Sequence, residues 1–179
     1  MHYSANIPAA RRRYLAAARR RLGLVPLAAC LLAGPAPAAN EALDAAFARS
    51  SIVIEASVNA CDRFAIYLAE QPAQRSRGLM YVRELDDMTG MLFVYPDEAM
   101  HSMWMKNTYL PLDMLFIRGD GRISSIVADT EPRSLTSIPS REPVRFVLEL
   151  KAGVSARFAI RPGDTLLWAG DAIGMPSEH

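Results

Sequence analysis

The chain has 179 residues, with 20 Lys plus Arg against 19 Asp plus Glu and a hydrophobic share of 51%. The first 38 residues carry six arginines and no acidic side chain, so the remainder holds 14 basic and 19 acidic residues, a net charge of −5. A mildly acidic chain without a basic tract lacks the electrostatic footprint of a nucleic-acid binder, and about 140 residues suffice for one domain with its own core.

In chain order, Arg11 to Arg13 and Arg19 to Arg21 precede the apolar run LGLVPLAACLLAG and the small-residue stretch APAAN. A basic region, a short apolar region and an Ala-Pro-Ala site read as a cleaved signal peptide over residues 1–38, and hence as export to the periplasm or beyond. The run is interrupted by Pro26 and Gly34 and falls short of the roughly 20 residues of a spanning helix. Two variants remain. LAAC, ending at Cys30, resembles a lipobox, which would anchor the chain to a membrane, although Leu31 and Leu32 continue the apolar run past the cysteine. RRRYL resembles a twin-arginine signal, but a second arginine cluster separates it from the apolar run. Cleavage would leave Cys61 as the sole cysteine. No internal disulfide is then possible, and a buried thiol is expected.

Residues 39–50 read as a linker. SIVIEASV and FAIYLA read as two strands joined by a turn over 59–63, and QPAQRSRGLM as one or two helical turns closed by Gly78. GMLFVYP is an apolar run of strand length that Pro96 should end. Asp120-Gly121 between runs of branched and aromatic residues is the clearest hairpin signal. VRFVLEL alternates as a half-buried strand does, KAGVSARFAI suits a short helix, and GDTLLWAG reads as the last strand. Seven or so short strands with one or two short helices predict a mainly β fold, a compact antiparallel sandwich or barrel over residues 51–170 with a tail at 171–179.

HSMWMKNTYLPLDMLF, from His101 to Phe116, is the chemically suggestive stretch. If it is extended, His101, Met103 and Met105 share one face, opposite Met100, Ser102, Trp104 and Lys106. An imidazole and two thioethers suit soft Cu(I); the structural alternative is that these methionines fill core gaps. Lys106, Asn107 and Asp113 interrupt an apolar stretch and must find partners if buried. In the structural reading, Asn107 and Thr108 make a turn while Asp113 pairs with a cation such as Arg77. In the functional reading, Lys106, Asn107, Asp113, Arg77 and Trp104 surround a ligand. Trp104 and Phe116 are expected in the core, so that Trp104→Ala would cost about 3 to 5 kcal/mol.

RGLMYVRELDDMTGMLFVYP, WMKNTYLPLDMLFIRGDGRI and LELKAGVSARFAIRPGD, taken in order, resemble the signature blocks of the domain of unknown function 192 family. The resemblance runs from about Ser51 to Trp168 and implies a compact, mainly β domain in a small, often exported prokaryotic protein. It implies no activity and supplies no catalytic residue. Arg77, Gly78, Met80, Gly90, Trp104, Met105, Lys106, Asn107, Asp113, Glu149 and Asp164 fall on its motif positions; His101 and Met103 lie just before one.

Enzyme signals are sparse. His101 is the sole imidazole between His2 and the C-terminal His179, and Gly-rich phosphate loops and metalloprotease helices are absent from the sequence. Asp113 with Lys106 is the one acid-base pair that remains as an enzymatic alternative. Glu149 is expected to pair with Arg157 or Arg161. No cofactor is indicated. The partners expected are a small molecule or an envelope protein, not nucleic acid, with membrane attachment only through Cys30.

Overall fold

The computed structural model describes residues 41–56 and 60–168. The segment 1–38 read as a signal peptide, Cys30 and the tail at 171–179 lie outside them. In chain order the elements are α1 (Glu41–Asp44), β1 (Ala48–Ala56), β2 (Ala60–Ala69), α2 (Pro72–Arg77), β3 (Thr89–Ala99), β4 (Ser102–Met103), β5 (Leu112–Ile117), β6 (Ile123–Val127), β7 (Ile138–Pro139), β8 (Val144–Lys151), α3 (Val154–Arg157) and β9 (Thr165–Leu167). Among the described residues no helix is long and apolar enough to cross a membrane.

Seven strands form one sheet in the order β6-β5-β8-β3-β2-β1-β9. An Arg122–Thr165 bridge brings its two edges together, and the Ile123 and Leu166 amides donate to the Asp164 and Gly121 carbonyls at 2.9 and 2.8 Å. The result is a nearly closed, mainly β barrel, as expected, with three short helices where one or two were expected. One pairing departs from the antiparallel expectation, since β2 and β3 run parallel. The physical reason lies between them: α2 and its flanking loops carry the chain back to the starting end, the long crossover that a parallel pair requires.

Several boundaries move. The chain joins β1 to β2 at 57–59, and Ala60 to Arg63, read as a turn, belong to β2. Ile52 sits opposite Phe64, a register that puts Ile52, Ile54, Phe64, Ile66 and Leu68 into one core cluster, and burying that face fixes the register. The segment read as a linker is ordered from Glu41, because Leu43 and Phe47 are buried. β3 does not stop at Pro96: its register with β8 shifts between Val94 and Ala99, so the strand passes the proline as a bulge. The two expected local signals hold. Pro72 opens α2, and the Gly78 amide closes it on the Gln74 carbonyl at 2.8 Å. Gly121 takes φ +84° in the β5–β6 hairpin.

The sheet buries both faces. Phe64, Ile66, Leu92, Leu115, Phe146, Leu148 and Leu150 fill the barrel, and Val154 and Ile160 join them from α3 and the residues after it. On the other face Tyr67, Met91, Phe93, Met114, Phe116 and Val147 form a second cluster with Leu43, Phe47, Leu79, Met103 and Met105. VRFVLEL is therefore not half-buried as its alternation suggested: residues 146–150 are all buried, because the outer layer covers the face expected to meet water. Where β3 meets β8, Gly90 leaves no room for a side chain. A Cβ there would lie 2.6 Å from the Glu149 carbonyl oxygen and 2.7 Å from Leu150 Cδ2. Gly90→Ala should cost about 1 to 3 kcal/mol in urea denaturation; a loss below about 0.5 kcal/mol would show that the two strands separate easily.

Candidate functional site

The alternation expected from Met100 to Lys106 is realised. Met103 and Met105 point inward, while Ser102, Trp104 and Lys106 face out. β4, paired with β7, holds the segment as a flap over the outer core layer. The flap turns at Asn107, which has φ +56°; its carbonyl accepts the Tyr81 amide at 2.9 Å and its Nδ2 donates to the Tyr81 hydroxyl at 3.0 Å. The Thr108 amide donates to the Met105 carbonyl at 3.0 Å. Asn107 and Thr108 thus have the turn role of the structural reading.

Both expected thioether ligands have a protein partner, whereas His101 Nε2 is buried without a hydrogen-bond partner among the described residues. The His101 ring stacks on Tyr95 with centroids 3.5 Å apart and planes 14° from parallel. Burial, reinforced by the charge of Arg75, holds its pKa below the usual value against the opposing effect of a hydrogen bond that the ring donates to the Asp97 backbone carbonyl. The Tyr95 hydroxyl donates to Met103 Sδ at 3.6 Å and the Thr130 hydroxyl to Met105 Sδ at 3.2 Å. Among the described residues no group of three or more His, Cys, Asp or Glu is placed to hold a metal.

Between the flap, α2 and the barrel lies a cavity of about 340 Å³. Its walls include Arg75, Ser76 and Arg77 from α2, Met80 after it, Phe93 and Tyr95 from β3, and Ser102, Met103, Trp104, Lys106 and Thr108 from the flap. Glu149, from β8, also lines it. Glu149 sits directly across from Met91 on one side and Met114 on the other. Its residue exposure is 4%, and burial alone pushes its carboxyl up to about 8. A neutral carboxylic acid at pH 7 can donate as well as accept a hydrogen bond.

Of the residues expected around a ligand, Arg77, Trp104 and Lys106 line this cavity, whereas Asn107 and Asp113 do not. Asp113 is fully buried and belongs to the fold. Its carboxylate accepts the Asp129 amide at 3.0 Å, the Ser155 amide at 2.9 Å and the Ser155 hydroxyl at 2.6 Å, tying β5 to α3. The expected Asp113–Arg77 pair does not form: Arg77 donates to the Ala42 carbonyl at 3.1 Å and lies over the Phe47 ring. Lys106 and Asp113 likewise form no ion pair; Lys106 Nζ lies 5.1 Å from the Trp104 ring centre.

Three further expectations are corrected. Trp104 is 49% exposed, while Phe116 is buried as expected. Trp104→Ala should therefore cost less than about 1 kcal/mol of stability, and a larger loss on chemical denaturation would mean that the flap packs through the indole. Cys61 is exposed, since it lies near the end of the β1–β2 hairpin and not within the barrel core. Glu149 has no arginine partner; Arg157 pairs instead with Asp87 at 2.5 Å, joined there by Lys151 at 3.0 Å.

Sequence reasoning missed Glu149, Tyr95 and Arg75 as cavity residues. The one available signal was the acid inside an otherwise apolar Leu148-Glu149-Leu150 stretch, which reads equally well as the wet face of a strand until a second layer is known to cover it.

Two solved structures are similar to this one. A candidate transcription regulator from Sinorhizobium meliloti is 44% identical, with 69% of this chain and 96% of that chain covered and a TM-score of 0.68. A protein of unknown function from Novosphingobium aromaticivorans is 34% identical, covering 67% and 85% at a TM-score of 0.65. No curated protein matches the chain. The model of the DUF192 family, described as an uncharacterized ACR, matches residues 42–168. That span includes the whole barrel, its flap and every cavity residue named above, and the chain belongs to the DUF192 family.

Proposed function

We propose that this protein is an exported small-molecule-binding module whose ligand occupies the cavity under the Trp104 flap. The observation that carries the reading is Glu149: a carboxyl group at the cavity wall, almost wholly buried, with no hydrogen-bond partner among the described residues. A buried polar group without a partner costs stability, and a ligand group would satisfy it. The half-exposed indole of Trp104 at the rim supplies a large apolar face at little entropic cost. About 340 Å³ lies at the small end of the range for ligand pockets. Export rests on the basic, apolar and small-residue succession of residues 1–38.

Native mass spectrometry of the protein purified from its own host, without added metal or chelator, tests the assignment. An organic mass increment that disappears in Trp104→Ala is the expected result. A bare protein mass would overturn it, as would a copper-sized increment lost in His101→Ala, which would move the site to His101, Met103 and Met105.

A further inference from the structure

The cavity unites two features that a structural role does not require. The first is uncompensated positive charge. Arg75, Arg77 and Lys106 all line it, and among the described residues none of the three is paired with a carboxylate. Glu149 is the only acidic residue in the lining. It is also the one carboxyl that could have neutralised a cation there, yet it bonds to none of them. In a chain whose residues beyond position 38 carry a net −5, three unpaired cations around one hollow concentrate positive potential where low-dielectric walls focus it.

The second feature is the order of the chemistry from rim to floor. Lys106 is exposed beside Trp104. Arg75 is held over the Tyr95 ring, 5.2 Å from its centre, by hydrogen bonds to the Glu70 carbonyl and, at 2.9 Å, to the Val94 carbonyl. These bonds use Nη1 and leave the rest of the guanidinium for a ligand. Arg77 turns its head toward α1 and contributes mainly charge. Met80, Phe93 and Met103 supply an apolar middle, and the Glu149 carboxyl closes the floor.

Resting on the small-molecule reading above, we propose that the cavity is selective for small organic acids. The anionic group is held between Lys106 and Arg75, an aromatic or apolar body lies against Trp104 and Phe93, and a polar far end meets Glu149. Inorganic anions would leave the apolar middle unfilled. Organic cations would face three positive side chains at entry.

The test compares 4-hydroxybenzoate with its neutral isostere 4-hydroxybenzamide by isothermal titration calorimetry at pH 6.5, on the protein lacking residues 1–38 and on Lys106→Gln. The acid should bind at least about tenfold more tightly than the amide, and Lys106→Gln should remove most of that preference while binding of the amide is retained. Equal binding of the two probes, or preference for the amide, would overturn the organic-acid assignment and leave the small-molecule reading standing. Binding of neither would overturn both. A preference for the acid that survives in Lys106→Gln and in Arg75→Gln, with both variants shown folded by circular dichroism, would also overturn the assignment, because the anion would then be held elsewhere.

Discussion

Asp113→Ala should be among the most damaging single substitutions in the domain, with an expected loss of about 4 kcal/mol or more. The carboxyl group is fully buried and accepts three hydrogen bonds, two of them from backbone amides. Removing it leaves two amides and the Ser155 hydroxyl unsatisfied, each at about 1 to 3 kcal/mol, and opens a void where α3 docks on the barrel. A domain of this size has only about 5 to 15 kcal/mol in total. Asp113→Asn, which keeps the volume and one acceptor oxygen, should lose roughly half as much. Urea denaturation monitored by circular dichroism gives both values. A loss below about 1.5 kcal/mol for the alanine variant would mean that water replaces the carboxyl group and that the β5–α3 tie is not structural.

Stability should fall as the pH rises from 5 to 9, and Glu149→Gln should abolish most of that fall. The folded chain holds the Glu149 proton up to about 8, whereas an unfolded glutamate releases it near its ordinary value of about 4.3. Between those limits the folded state binds more protons than the unfolded state. The contribution is complete below the unfolded value and is lost as the pH climbs through the folded one. At about 1.4 kcal/mol per unit, the difference amounts to as much as about 5 kcal/mol. Tyr95, Arg75, Arg77 and Lys106 share the cavity, but burial alone sets the Glu149 shift. Glutamine reproduces the neutral acid in shape and hydrogen bonding but does not titrate, so its stability curve should lack the fall and keep only the small rise toward neutral pH that the lowered His101 pKa contributes. Parallel curves for wild type and Glu149→Gln would show that water reaches the carboxylate freely.

The same titration bears on binding. Ionised Glu149 would place a negative charge at the floor of a cavity we assign to acids, so affinity for an organic anion should decline above pH 8 in the wild-type chain and not in Glu149→Gln. Asp113 and Glu149 thus exchange the roles expected of them. The residue read as a ligand group is locked into the fold, and the residue read as a structural ion pair faces the cavity.

Short-range patterns were enough for the barrel strands, the glycine-closed helical turn after Pro72 and the Asp120-Gly121 hairpin. Backbone preferences and side-chain alternation act over a few residues and are written directly in the chain. The signature blocks were enough for the family, and the inward and outward faces of the His101 to Lys106 flap followed from period two alone. Other features depended on contacts between residues far apart in sequence. The β2–β3 parallel pair, the β4–β7 ladder between segments 35 residues apart, and the second layer over β8 all belong to this class. That second layer determines whether a side chain on the outer face of the barrel meets water, a neighbour or a cavity. Glu149 and Trp104 follow from it: alternation assigns each a face but not what covers that face, and the covering layer leaves the carboxyl inside and the indole at the rim.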